Sequence, residues 1–176
     1  MGKTVAVVPV RMTSSRLPGK VMAEVLGKPL LGHIIDRLEC CNSLDDIVVA
    51  TATDILNNSI EAYCRERGIP VFRGSEKDVL NRYFQCAEHF KFKTIVRITS
   101  DCPLIDPEIV DKVIDKFEKS DFDYVSNTFE KTFPKGLDVE IFSFDILKIM
   151  WKNAKLPSER EHVTKYILNK NEFKIG

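Results

Sequence analysis

The chain has 176 residues, 44% apolar and 30% charged, enough for a substantial hydrophobic core and too apolar for a disordered segment. Its 26 Lys and Arg balance 26 Asp and Glu, which excludes a general nucleic-acid binder or a polybasic membrane module. No apolar stretch approaches the length of a membrane span, and the N-terminus enters a strand rather than a signal peptide.

The first predicted element, TVAVVPV (4–10), is apolar on both faces, as in the interior of a parallel sheet. A basic loop follows, then a helix over 29–41 with Leu30, Leu31, Ile34, Ile35 and Leu38 on one stripe. DIVVAT (46–51) is a second buried strand. Asp54 caps the next helix, whose stripe includes Ile60, Tyr63 and Cys64 and which stops at Gly68. IPVFRG (69–74) is a short third strand, KDVLNRYFQCAEHF (77–90) a helix and TIVRITS (94–100) a fourth strand. The helix over 106–119 has a clear start, with Asp106 as N-cap, Pro107 in the first helical position and Glu108 in the first turn. FDYVSN (122–127) is a fifth strand. Beyond it the rhythm changes to a loop, an antiparallel edge strand with alternating Leu137, Val139 and Ile141, and helices around 143–153 and 158–170.

Strands alternating with helices imply βαβ units and a three-layer α/β/α open, mostly parallel sheet. No linker, repeat or low-complexity stretch divides residues 1–176, so a single domain is expected. Such sheets bind ligands beyond the carboxyl ends of their strands. The five cysteines, Cys40, Cys41, Cys64, Cys86 and Cys102, have neither CxxC nor zinc spacing, and His33, His89 and His162 are scattered. Reduced thiols in a cytoplasmic protein are the expectation.

The loop PVRMTSSRLPGK after the first strand collects Arg11, Arg16 and Lys20 with the hydroxyls of Ser14 and Ser15 and a turn at Gly19. Guanidinium groups grip phosphate oxygens in pairs, an ammonium acts as a point charge, and backbone N–H groups near Gly19 complete an anion cradle. The spacing is neither the dinucleotide G-x-G-x-x-G nor the P-loop. The alternative is a solvated basic loop. In TSDCPLIDP, Asp101 follows the fourth strand where a carboxylate can hold a divalent cation against phosphate oxygens, whereas Asp106 is accounted for as a cap. In RGSEKDVLNRY, Asp78 and Arg82 are spaced for an i,i+4 ion pair on a solvated face.

The stretch VPVRMTSSRLPGKVMAEVLGKPLLGHIIDRL resembles the signature of the cytidylyltransferases that make CMP-activated sugars, including the CMP-Kdo and CMP-sialic acid synthetases. It is most similar to the spore-coat polysaccharide branch, with R-x-x-S-x-R-L-P-G-K followed by G-K-P-L. That resemblance implies a nucleotide-diphosphosugar transferase fold of Rossmann-like type. It implies transfer of CMP from CTP to a sugar hydroxyl, or to a sugar phosphate giving a CDP-sugar, with release of pyrophosphate, in polysaccharide biosynthesis. It implies Arg11, Ser15, Arg16 and Lys20 around the triphosphate, Asp101 on Mg²⁺, and Asp78 and Arg82 in the nucleotide pocket. The branch shares the G-L-D-V-E and R-E-H-V-T segments, which implies Asp138, Glu140, Arg160, Glu161 and His162 near the sugar acceptor; a surface ion network is the alternative. Relatives continue into a V-D-T-x-E-D-L-like segment with a second metal aspartate, which NEFKIG does not contain, so the domain is expected to lack that C-terminal part. Homodimerisation through the region after the fifth strand is also implied. Two rival readings stand beside this one. A GT-A-like glycosyltransferase would use Asp121 and Asp123 as its D-x-D, and a non-catalytic nucleotide-binding fragment would bind without turnover.

Overall fold

The computed structural model describes residues 2–14, 17–130 and 133–176. Its centre is a six-stranded sheet built from β1 (Thr4–Pro9), β4 (Asp46–Ala52), β5 (Val71–Gly74), β6 (Thr94–Arg97), β7 (Tyr124–Ser126) and β8 (Glu140–Ser143), in the order β5-β4-β1-β6-β8-β7. β1 pairs in parallel with β4 and β6, and β4 with β5, as the alternation of strands and helices predicts.

The period-two geometry of β1 splits its side chains between two cores. Ala6 and Val8 face α1 (Leu30–Leu38), α2 (Asn58–Glu66) and α4 (Pro107–Glu118), while Val5 and Val7 face α3 (Val79–Phe90) and α5 (Phe144–Asn153). Val5 through Val8 are wholly buried. That is why the segment reads as a continuous apolar run, and burying each valine stabilises by roughly 1.5–3 kcal/mol. The Asp106 carboxylate accepts from the Glu108 N–H at 2.9 Å, confirming the predicted start of α4. Gly68 has φ +69°, the left-handed conformation expected just past α2.

Three local expectations are corrected. The strand near Ile141 is not at an edge: β8 is antiparallel to β6 on one side and β7 on the other. It can sit inside because its successive residues Ile141 and Phe142 each enter one of the two cores. Residues 174–176 run beside the outer edge of β7, where Gly176 N–H donates to Tyr124 O at 3.0 Å. The helix predicted over 158–170 is instead two, α6 (Pro157–His162) and α7 (Lys165–Leu168), because Val163 turns the chain at φ +53°. And Asp78 does not pair with Arg82. Its carboxylate caps α3, accepting from the Asn81 N–H at 2.9 Å, and binds Arg160 Nε and Nη2 at 3.0 and 2.5 Å.

The G-K-P-L motif forms a hairpin the sequence reading missed: β2 (Glu24–Val25) and β3 (Lys28–Pro29), turning through Leu26 and Gly27, both at positive φ. Lys28 pairs with Asp36 on α1, which Arg67 also binds at 2.8 Å. Gly32, two residues beyond the motif, has no room for a side chain. A Cβ there would lie 2.2 Å from Tyr63 Oη and 2.7 Å from Lys28 Cγ. Alanine normally favours a helix over glycine by about 1 kcal/mol, but here the crowding should win. Gly32→Ala is expected to destabilise by roughly 1–3 kcal/mol in urea unfolding; an unchanged midpoint would show that Tyr63 and Lys28 move aside freely.

Candidate functional site

β1 lies where the strand order reverses, with β4 on one side and β6 on the other, so the loops after β1 and β6 flank the crevice that open α/β sheets use for ligands. The chain leaves β1 through Val10, whose N–H donates to Ala50 O at 3.0 Å. The Met12 N–H donates to the side-chain oxygen of fully buried Asn57 at 3.0 Å, and the Gly19 N–H closes the loop onto Met12 O at 2.8 Å. Thr13 also hydrogen-bonds Glu76 in the turn after β5. Gly19 sits at φ +72° and ψ 2°, ahead of a 3₁₀ turn over Lys20–Met22. Its part in the loop is therefore conformational.

This frame brings Arg11, Ser14 and Lys20 into one cavity of about 340 Å³ with Asp101, Thr99 and Glu161. Neither Arg11 nor Lys20 forms an ion pair with a carboxylate among the described residues. Ser15 and Arg16 lie outside the described residues.

Asp101 also borders a second cavity, of about 420 Å³, with Asn127, Thr128, Lys135 and Asp138. Its far wall is fixed by Asn127, which donates to Leu137 O at 2.7 Å and accepts from the Val139 N–H at 2.9 Å. Asp101 therefore stands between the two parts of the site, with Arg11 and Lys20 on one side and Lys135 and Asp138 on the other. The sequence reading missed Asn127, Thr128 and Lys135. Their signal was position alone, since they follow the carboxyl end of a strand and precede G-L-D-V-E.

Next to Asp101, burial pushes the Cys102 thiol up, outweighing the hydrogen bond with Thr99 that pulls it down. Burial likewise pushes Cys41, Cys64 and Cys86 up to about 12. All five cysteines are free thiols. Burial therefore disfavours the thiolate form at Cys102.

The remaining predicted residues are distributed differently. Arg82 is 2% exposed beneath the loop, donating from Nη1 to Ser75 O at 2.7 Å, with Nε left without a partner. Burial pulls its guanidinium below the ordinary value, and the positive charge of Arg11 adds to that. Asp78 and Arg160 bind each other, and neither borders the two cavities. Glu140 pairs with Arg97 at 2.6 Å inside the sheet. Glu161 reaches the cavity of Arg11 and Lys20, Asp138 the one of Lys135, and His162 is exposed. The D-x-D of the glycosyltransferase alternative is occupied structurally: Asp121 pairs with Lys174, and Asp123 accepts from the Lys174 N–H at 2.9 Å. No described helix is long and apolar enough to cross a membrane.

Comparison with known proteins agrees with this geometry. The chain is 42% identical over 174 residues to an uncharacterized protein of Methanocaldococcus jannaschii, covering 98% of this chain and 70% of the relative. It is 33% identical to the spore coat polysaccharide biosynthesis protein SpsF of Bacillus subtilis, covering 96% of this chain and 71% of SpsF. The solved structure of a cytidylyltransferase from Leptospira borgpetersenii superposes with a TM-score of 0.95 at 34% identity, covering 99% of this chain and 75% of that one. The family profile described as Cytidylyltransferase matches residues 5–174, and with Arg11, Lys20 and Asp101 gathered in one cavity at the switch point of its sheet the chain belongs to the cytidylyltransferase family, enzymes of CTP-dependent nucleotidyl transfer.

Proposed function

We propose that the protein transfers CMP from CTP to a sugar acceptor, releasing pyrophosphate, as a step in surface or spore-coat polysaccharide synthesis. The observation that carries this reading is the pair of cations, Arg11 and Lys20, sharing one cavity with Asp101 while ion-pairing with no carboxylate among the described residues. Cations not engaged in an ion pair are available to grip phosphate oxygens. Similarity to SpsF supports the polysaccharide context.

In this reading the β- and γ-phosphates lie against Arg11, Ser14 and Lys20. The acceptor occupies the cavity of Lys135 and Asp138, across Asp101. A sugar oxygen, from a hydroxyl or a sugar phosphate, attacks the α-phosphorus; the bond to the bridging oxygen breaks, and pyrophosphate leaves toward the cations. Arg11 and Lys20 stabilise the charge that grows on the leaving group, which is where fixed positive groups lower the barrier most. The oxygen donors around Asp101 (its carboxylate and the Thr99 and Ser100 hydroxyls) suit a hard cation that takes one or two carboxylates and completes its shell with phosphate and water. Among the described residues no cluster of three metal-ligating side chains competes with that arrangement. When bound, Mg²⁺ supplies additional positive charge to the α-phosphate and the leaving group. Asp101 would hold it. Arg82, with an unpartnered Nε beneath the loop, backs the nucleotide side.

Isothermal titration with CTP, UTP, ATP and GTP, with and without Mg²⁺, tests this reading. CTP is expected to bind selectively and more tightly with Mg²⁺, and Asp101→Ala is expected to remove the dependence on metal. A protein that binds none of the four, or binds them alike, overturns the assignment.

A further inference from the structure

α6 carries three charged residues in a row, Glu159, Arg160 and Glu161, and each has a different task. The Glu159 carboxylate is buried and accepts from the Lys155 and Leu156 N–H groups at 3.1 and 3.2 Å, closing the start of its own helix. Arg160 grips the Asp78 carboxylate and donates to Trp151 O at 2.8 Å, fastening α6 to the start of α3 and to α5. Glu161, between that clamp and the end of the helix, lines the same cavity as Arg11 and Lys20 and makes no ion pair among the described residues.

The turn that ends α6 has a backbone unusual for its residue type. Val163 is wholly buried at φ +53° and ψ −67°, and the Thr164 N–H donates back to His162 O at 2.6 Å. This is the strained form of the three-residue turn, a conformation a β-branched side chain disfavours and adopts only where its surroundings impose it. They do so here. Thr164 Oγ1 donates to the Glu140 carboxylate at 3.3 Å, and Arg97 holds that carboxylate at 2.6 Å. α6 is thus fixed at both ends, which keeps the backbone of Glu161 beside the cavity that its side chain lines.

We propose that Glu161 is a fixed anion that limits how tightly the cradle holds pyrophosphate, and that Val163 is the positioning residue that keeps it there. The proposal rests on the reading of this cavity as the triphosphate site. Once severed from CMP, pyrophosphate carries an added negative charge on the oxygen that had bridged to the α-phosphorus. A carboxylate in the same cavity therefore repels the product more than the same two phosphates within CTP and favours its release.

Titration of inorganic pyrophosphate and of CTP, in metal-free buffer of low ionic strength, into wild type, Glu161→Gln, Glu161→Asp and Val163→Gly decides this. Removing one charge facing a polyanion at short range is expected to tighten pyrophosphate about tenfold in Glu161→Gln. CTP should tighten less, and Glu161→Asp should stay near wild type. Val163→Gly should shift pyrophosphate in the direction of Glu161→Gln, because a relaxed turn lets the carboxylate leave the cavity. Thr164→Val, which cuts the tie to Glu140 but keeps the residue's shape, serves where Val163→Gly does not fold. Unchanged or weaker pyrophosphate binding in Glu161→Gln, with CTP still bound, overturns the proposal alone. Wild-type affinity in a folded turn variant removes Val163 from it. If no variant binds either ligand, the cradle reading falls and this proposal with it.

Discussion

Arg11→Ala should bind CTP on the order of 100-fold more weakly than wild type, and Lys20→Ala about tenfold more weakly. The difference follows from shape. A guanidinium offers two parallel donors to a phosphate, each charge-assisted bond contributing about 1.5–3 kcal/mol, while an ammonium acts as a mobile point charge. Both losses should shrink as salt rises, since screening weakens the wild-type attraction first. Stability should not fall with affinity. The loop is held by Met12, Asn57 and Gly19, none of which uses the Arg11 side chain. Arg11 also lies near enough to buried Arg82 to oppose its charge, so its removal relieves repulsion. Arg11→Ala with a lowered thermal midpoint, or with CTP affinity intact, would remove this residue from the cradle.

Glu140→Ala carries the largest expected effect on stability. Arg97 and Glu140 face each other across β6 and β8, with side chains only 15% and 12% exposed. Burial disfavours the Arg97 charge, but the Glu140 carboxylate outweighs it and holds the guanidinium above its ordinary value, so Arg97 stays charged at every pH of interest. Removing its partner leaves a buried charge uncompensated, a loss of about 3–5 kcal/mol. For a protein of this size that corresponds to a fall of about 10 °C in the thermal midpoint. Replacing both residues by apolar ones of similar size should recover most of the loss, because the desolvation cost of the pair disappears with it. A single substitution that lowers the midpoint by less than about 2 °C would mean that water reaches Arg97 once Glu140 is gone.

What the sequence displays and what it hides depend on the range of the forces involved. The β1 strand and the Asp106 cap are legible because both are settled within a few residues, by burial on two faces and by a carboxylate next to an unpaired N–H. The gathering of Arg11, Ser14 and Lys20 is legible as composition, though not the fact that Glu161 joins them from the far end of the chain. Asp78 looks like a partner for Arg82 because they are neighbours on a helix. Its actual partner, Arg160, is 82 residues away and offers a planar two-point grip that Arg82, turned inward, cannot. The break at Val163 leaves no local sign either, since EHVTKYI carries a helical pattern straight through it; burial of Val163, Tyr166 and Ile167 decides the matter. The hairpin at Leu26 and Gly27 is hidden because leucine is a poor residue for positive φ, and nothing in the local pattern marks it as an exception.

The insertion of β8 between β6 and β7 also sets an order of events during synthesis. Residues 4–97 contain the four parallel strands β5, β4, β1 and β6, each of which finds its neighbour among segments already made. β7 emerges next and has no strand to join, because the edge of β6 belongs to β8 and β7 pairs with β8. Until Ser143 is available, the growing chain displays an open β6 edge and a detached apolar strand. Those are the features through which nascent chains pair with the wrong partner. The moment of greatest exposure to misassembly therefore comes just before β8 arrives, and any delay in translation between residues 126 and 140 prolongs it.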